Sequence, residues 1–238
     1  MNDIKLIVLD LDGTLTQHKT KLEAPNKAVL NRLAERYKLL MAGAGQCLRI
    51  WNQMGQYPID IIGNYGMQYA VYQRDTGHLK LLRDETIPCV RREIERRAAK
   101  LRAMYGLTNF RGESVEYHPS GCITFPILGT EAFPGEKLAY DPDRKKRREL
   151  YPTVRKLFFD YNVFIGGSSS FDMAPKPYDK CYALKLYCQE HRYLPEEVVF
   201  IGDDYGPGGN DASVYQSDFH FITVDHYQDF PKAVRRLL

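Results

Sequence analysis

The sequence predicts an α/β core built on a parallel sheet and interrupted by an inserted α+β module. Three observations predict it. An apolar, β-branched run at residues 4–9 leads straight into Asp10, and a second at 198–201 leads through Gly202 into Asp203, near the far end of the chain. Strand and helix patterns alternate on both flanks, which implies parallel pairing through right-handed crossovers. Between residues 83 and 175 that rhythm gives way to a helix–strand–strand–helix–strand–strand order, the mark of a separate α+β module.

The elements follow in order. Residues 25–37 carry helical spacing, with Ala28, Val29 and Leu33 inward and Asn26, Lys27, Arg32, Glu35 and Arg36 outward. Residues 39–42 and 59–62 are short apolar strands, and 69–82 read as a hairpin about Asp75-Thr76-Gly77. Residues 90–105 predict a helix with a dense basic face (Arg91, Arg92, Arg96, Arg97, Lys100, Arg102). Strands follow at 115–118, 122–128 and 161–165, with a second basic helix at 143–160 before the last of them, and then a strand at 170–174. The α/β rhythm resumes with a helix at 178–191, a buried strand at 198–201, a helix over 211–216, a strand at 219–224 and a closing helix at 230–238. The core is therefore discontinuous, residues 1–82 and 176–238, around a module of residues 83–175. Ligands of an open parallel sheet sit at the carboxyl ends of its strands, where Asp10, Gly43 and Asp203 fall.

Composition narrows the functional classes. A chain of 238 residues holds one large or two modest domains. A net charge of +3 is too small to argue for nucleic acid. The basic helices mix their arginines with Glu93, Glu95, Asp143 and Glu149, the pattern of a solvated face, so no polyanion partner is expected. No apolar run reaches the ~18 residues that span a membrane. The five cysteines are odd in number and lack C-x-x-C spacing, as in a cytoplasmic protein with reduced thiols.

The chemistry lies where the strands end. Asp10-Leu11-Asp12-Gly13-Thr14 places two carboxylates one residue apart at the end of a buried strand. Like charges that close raise each other's pKa unless a cation intervenes. Hard oxygen ligands at an open loop suit Mg²⁺, which substrate phosphate usually completes. Gly202-Asp203-Asp204, followed by a glycine-rich loop and Asn210-Asp211, can bring a third carboxylate beside the first two. Asp204 is an alternative ligand to Asp203, one residue further from the strand. Phosphoryl chemistry also needs a cation, and the residues alone leave Lys176 and Lys180 open.

Asp-Leu-Asp-Gly-Thr-Leu-Thr resembles the first motif of the haloacid dehalogenase superfamily of phosphoryl-transfer enzymes. Within it the chain is most similar to the eukaryotic-type phosphomannomutases, whose Gly-Asp-x-x-x-Pro-Gly-Gly-Asn-Asp motif matches residues 202–211. Arg111-Gly112, Pro126-Ile127 with Gly129, residues 166–172 and Tyr178-Asp179-Lys180 extend the likeness. The resemblance implies a Rossmann-like core with a C2b-type cap, an antiparallel sheet with helices on one face. It implies Asp10 as nucleophile and Asp12 as general acid/base, with the Asp12 carbonyl joining Asp10 and Asp203 around Mg²⁺. Asn210 and Asp211 support the metal, and Lys180, within Tyr-Asp-Lys, is favoured as the charge-screening lysine.

The superfamily's Ser or Thr after the second strand is absent from Ala42-Gly43-Ala44-Gly45-Gln46, so the phosphate contact is expected from the backbone N–H groups of Gly43 and Ala44. Ser170 and Asp172 match residues that bind sugar hydroxyls. Where the family has phosphate-binding arginines this chain has Lys19, His118 or Pro119, Thr130 and Lys137. The expected activity is a Mg²⁺-dependent phosphohydrolase acting on a small phosphate ester, a sugar phosphate in first place, through an aspartyl-phosphate. Phosphohexomutase activity is the alternative. The resemblance also allows a homodimer through the cap.

Overall fold

The computed structural model describes residues 3–238 as two compact units. The first runs to Asp84 and resumes over Asp179–Gly206 and Asp211–Leu238. The second comprises Glu85–Tyr178 and Pro207–Asn210.

The first unit is built on strands β1 (Leu6–Leu9), β2 (Lys38–Ala42), β3 (Asp60–Gly63), β4 (Gln68–Gln73) and β5 (His78–Asp84), and on β10 (Val198–Gly202) and β11 (His220–Thr223). Their order is β11-β10-β1-β2-β3-β4-β5. The first five in that order pair in parallel, and the β4–β5 hairpin extends the sheet antiparallel. β1 is buried along its whole length because helices cover both faces. Its alternate residues divide between two cores: Ile7 and Leu9 pack with Leu30, Leu33, Ile50, Trp51 and Phe230, and Leu6 and Val8 with Leu184, Tyr187 and Val214. Helices α1 (Ala24–Ala34), α2 (Cys47–Gln53) and α8 (Phe230–Ala233) supply the first core, and α6 (Lys180–His191) and α7 (Ala212–Tyr215) the second. The predicted closing helix is shorter than expected, ending in a 3₁₀ turn over Arg235–Leu237.

The second unit holds α3 (Arg91–Tyr105), β6 (Glu116–Tyr117), β7 (Ile123–Pro126), α4 (Pro134–Tyr140), α5 (Lys145–Leu157), β8 (Tyr161–Phe164) and β9 (Ser170–Pro175). Its sheet, β6-β7-β9-β8, is antiparallel throughout. Phe125, Val163, Phe171 and Met173 pack from one sheet face against Ile94, Leu101, Leu150 and Val154 of α3 and α5. Thr124, Ser170 and Asp172 occupy the alternate positions and are half-buried.

Two helices were not expected, α2 and α4. The solvated-face reading of the basic helices also needs correction, since Arg102 and Arg147 are buried. Arg102 donates to the Pro126 and Ile127 carbonyls, at 2.9 Å each, and to Ser114 Oγ at 2.7 Å. Arg147 Nε donates to Asp141 Oδ2 at 2.9 Å, and its Nη1 donates to the Gly166 and Gly167 carbonyls at 2.7 and 3.0 Å. A buried charge has to be compensated: Arg147 by its ion pair with Asp141, Arg102 by hydrogen bonds to neutral carbonyls and a hydroxyl and by the faces of the Phe110 and Phe125 rings. Burial alone would raise the Asp141 pKa, but Arg147 and two backbone N–H groups outweigh it and hold the carboxyl below its ordinary range. The pair fastens the loop before β9.

Candidate active site

Parallel pairing of β1 with β10 sets Leu9 beside Ile201, so both strands deliver their following carboxylates to one edge of the sheet. Asp10 is buried directly after β1, and its N–H donates to the Ile201 carbonyl at 2.9 Å. Asp203 follows β10 and accepts from Thr14 Oγ1 at 2.9 Å. Asp211, fully buried, is held by the Asp204 N–H, which donates to its Oδ2 at 3.1 Å. Asp10, Asp203 and Asp211 each bring a carboxylate oxygen within 4.8 Å of the others. Asp211, expected in a supporting position, thus stands level with the other two. Asp204, the alternative to Asp203, braces Asp211 with its backbone and is not among the three. Asn210 belongs to the second unit.

Lys180 opens α6, where Asp179 caps the helix by accepting the Tyr182 N–H at 2.7 Å. The cap directs the first turn of α6 at the carboxylates. Lys180 Nζ, buried, donates to Asp10 Oδ1 at 2.5 Å and to Asp211 Oδ1 at 2.7 Å. Burial disfavours the ammonium, yet Asp10 and Asp211 overcome it and hold the Lys180 pKa above its ordinary value. Asp10 is driven the other way. Burial pushes its pKa well up, and Asp211 and Asp203 add to that against the pull of Lys180. Asp203 is raised to about 6 by burial and by Asp211.

Three carboxylates against one ammonium leave two uncompensated negative charges in a buried cluster. That deficit, on hard oxygen donors, fits a divalent cation such as Mg²⁺. Asp10 and Asp203, with Asp211 beside them, are the side chains able to hold it.

The Asp12 side chain takes no part in the cluster. Its Oδ1 accepts the Lys19 N–H and Gln53 Nε2, both at 2.7 Å, and Arg49 Nη2 lies 3.7 Å from its Oδ2. Lys19 therefore reaches this carboxylate through its backbone, at a left-handed φ of 59°, while its side chain is exposed. Gly13, with φ 102°, leaves no room for a side chain: a Cβ there would come within 2.3 Å of Asp203 Oδ2.

The turn after β2 departs from expectation. The Gly43 N–H donates to the Ile62 carbonyl at 2.9 Å, extending the β2–β3 ladder, so it is not available to a phosphate. The Ala44 N–H meets no acceptor among the described residues. Gln53 and Arg49 went unrecognised in the sequence because they lie on α2, the helix that was not foreseen.

In the second unit Thr124 Oγ1 donates to Asp172 Oδ1 at 3.0 Å, and His118 Nε2 lies 3.0 Å from the same hydroxyl. Ser170 Oγ donates to the Gly166 carbonyl at 3.0 Å. Lys137 Nζ donates to the Thr130 carbonyl at 3.1 Å, and Thr130 Oγ1 accepts the Glu113 N–H at 2.9 Å.

A family model described as eukaryotic phosphomannomutase matches residues 98–238. A phosphomannomutase of Encephalitozoon cuniculi is 27% identical, over 98% of this chain and 94% of its own length. One of Triticum aestivum is 28% identical, over 93% and 88%. Among solved structures, an IMP-bound, N-terminally truncated IMP-nucleotidase of Plasmodium falciparum superposes with a TM-score of 0.72 at 11% identity, covering 99% of this chain and 68% of that one. A haloacid dehalogenase-like hydrolase of Bacteroides thetaiotaomicron gives 0.59 at 16% identity, covering 99% and 100%. At those identities the structural likeness speaks for the fold alone.

Proposed function

Since the chain belongs to the eukaryotic phosphomannomutase family and, with it, to the haloacid dehalogenase superfamily of phosphotransfer enzymes, we propose that it moves the phosphoryl group of a hexose phosphate through Asp10. The observation that carries the reading is Lys180 bridging Asp10 and Asp211 beside Asp203, two remote stretches of chain meeting at adjacent strand ends.

In this reading an Asp10 carboxylate oxygen attacks phosphorus, forming an O–P bond as the ester P–O bond breaks. Asp12, oriented by Gln53 and the Lys19 N–H, gives its proton to the departing oxygen. Lys180 draws the Asp10 pKa down against burial and the two neighbouring carboxylates, which still hold it well up, so the ionised nucleophile also calls for the charge of a bound cation. Mg²⁺, when bound, supplies the positive charge that the cluster lacks and draws charge from the phosphoryl oxygens. In the second half-reaction Asp12 takes a proton from the incoming hydroxyl, whose oxygen displaces Asp10.

The identity of that hydroxyl separates two outcomes. Family membership and the names of the relatives favour a sugar hydroxyl, hence phosphohexomutase turnover. One observation favours water, hence hydrolysis. A mutase grips a second phosphate, for which arginine forks are suited, whereas His118, Thr130 and Lys137 are engaged with their own unit. Ser170 and Asp172 are the proposed sugar contacts in either case.

The test is a panel of phosphate esters with Mg²⁺, and a hexose bisphosphate activator in a parallel set. Inorganic phosphate and the 1- and 6-phosphate isomers are scored together. Isomer without free phosphate identifies the mutase, and free phosphate the hydrolase. Asp10→Asn should abolish both with the circular dichroism unchanged. Full turnover by that variant would remove the mechanism.

A further inference from the structure

The superfamily's hydroxyl-bearing residue after the second strand is missing here, and within that same turn the structure sets a guanidinium against Gly45. Gly45 lies in the β2–α2 turn with no left-handed φ, so its backbone would accept a side chain. What a side chain there would meet is Arg49, a turn further along α2, whose flexible guanidinium would have to shift to admit it. A Cβ on Gly45 would sit 2.2 Å from Arg49 Nη2 and 2.4 Å from its Nε. The glycine and the guanidinium are two halves of one arrangement.

Arg49 also points at the chemistry. Its Nη2 is 3.7 Å from Asp12 Oδ2, and its Nη1 donates to Gln53 Oε1 at 2.8 Å. Gln53 Nε2 donates in turn to Asp12 Oδ1 at 2.7 Å and to Thr16 Oγ1 at 3.1 Å. One amide therefore holds Arg49 and Asp12 together. The remaining guanidinium N–H groups make no hydrogen bond among the described residues, and the side chain is 45% exposed. A group that gives its proton to the leaving oxygen must lie ~3 Å from it. A guanidinium beside that group is within reach of the same phosphoryl oxygens, with donors to spare.

We propose that Arg49 contacts the phosphoryl group during transfer, in the space that Gly45 leaves open, as the substitute for the missing hydroxyl. Gln53 is its positioning residue. The proposal rests on the phosphotransfer reading above, since it names a contact of that same site.

The two halves can be exchanged, and that supplies the test. Wild type, Arg49→Ala, Arg49→Lys, Gly45→Ser and the double variant Gly45→Ser/Arg49→Ala are assayed with p-nitrophenyl phosphate and Mg²⁺, and for inhibition by orthovanadate. Loss of one oriented donor to a developing oxyanion costs on the order of 100-fold in kcat, the loss expected for Arg49→Ala, together with about tenfold weaker vanadate inhibition. Arg49→Lys should recover part of both. The double variant should exceed Arg49→Ala at least tenfold, because the serine hydroxyl then occupies the vacated space. Gly45→Ser alone should fall below wild type, because its side chain displaces Arg49. Arg49→Gln, which keeps the first part of the stem and a polar end but not the guanidinium, repeats the comparison should alanine loosen α2, as read from Trp51 fluorescence.

The proposal is overturned if Arg49→Ala keeps kcat/KM and vanadate affinity within threefold of wild type, or if the double variant only matches Arg49→Ala. The phosphotransfer reading fails separately, if Asp10→Asn is active or if wild type turns over no ester and binds no vanadate.

Discussion

Replacing Lys180 by methionine removes one ammonium from a buried cluster and leaves three carboxylates without a cation. Lys180 Nζ serves Asp10 at 2.5 Å and Asp211 at 2.7 Å, and all three groups are buried. Breaking a buried ion pair by deleting one partner costs about 3–5 kcal/mol, mostly the uncompensated charge left behind. The two pairs share one ammonium, and deleting it also removes its own desolvation cost, so the loss is one such increment and not two. The assay is urea unfolding in metal-free buffer with EDTA. It is followed by Trp51, the single tryptophan, which is buried in the first unit and donates to the Tyr57 carbonyl at 3.1 Å. This probe reports on that unit alone, which keeps the second from blurring the transition. Adding Asp211→Asn to Lys180→Met removes one of the stranded charges and should return roughly half of the lost stability, while catalysis stays abolished. A Lys180→Met loss below about 1 kcal/mol would refute the reasoning. Asp10 and Asp211 would then not depend on that ammonium.

Other outcomes follow from single contacts. Gly13→Ala should cost about 1–3 kcal/mol from its left-handed φ. It should cost activity far more, on the order of 100-fold, because the new methyl displaces Asp203; kcat measured beside the Trp51 unfolding midpoint separates the two. Arg147→Met should destabilise the second unit by about 3–5 kcal/mol, read by far-ultraviolet circular dichroism melts. That loss should depend on pH with a defined sign. The folded Asp141 pKa is lowered, so its contribution is fully present above the unfolded carboxylate value of about 3.9 and disappears as pH falls through the folded value. Wild type should therefore lose stability below about pH 4 more steeply than Arg147→Met, and parallel acid titrations of the two would contradict this.

The core sheet was legible because its strands are buried on both faces and read as unbroken apolar runs ending in acids, at 4–9 and 198–201. The proximity of Asp10 to Asp203 followed from pairing those runs side by side. Helix α2 was not legible. Its seven residues carry only Cys47, Ile50 and Trp51 inward, too few to set a period, and Gly43, Ala44 and Gly45 before it read as a loop. With α2 went Arg49 and Gln53. The occupied Gly43 N–H was hidden for a related reason, since β3 supplies its acceptor from nineteen residues away. Arg102 and Arg147 were read as solvated because a charged side chain on an amphipathic helix usually is. The carbonyls that satisfy them come from the ends of β7 and the loop before β9, partners no local pattern announces. How near the Asp211 carboxylate comes to those of Asp10 and Asp203 was not legible, because spacing along the chain says little about a loop that folds back.

The sheet order carries a consequence for biosynthesis. β1 lies between β10 and β2, so one of its edges stays unsatisfied on the ribosome until residue 202 has emerged. At 5–20 residues per second that interval is roughly 10–40 s. Throughout it a fully apolar strand offers a free edge to any other nascent chain. The same delay leaves Asp10 without its ion-pair partner until Lys180 has been made, so shorter nascent chains lack the buried cluster and are also the most exposed to misassembly.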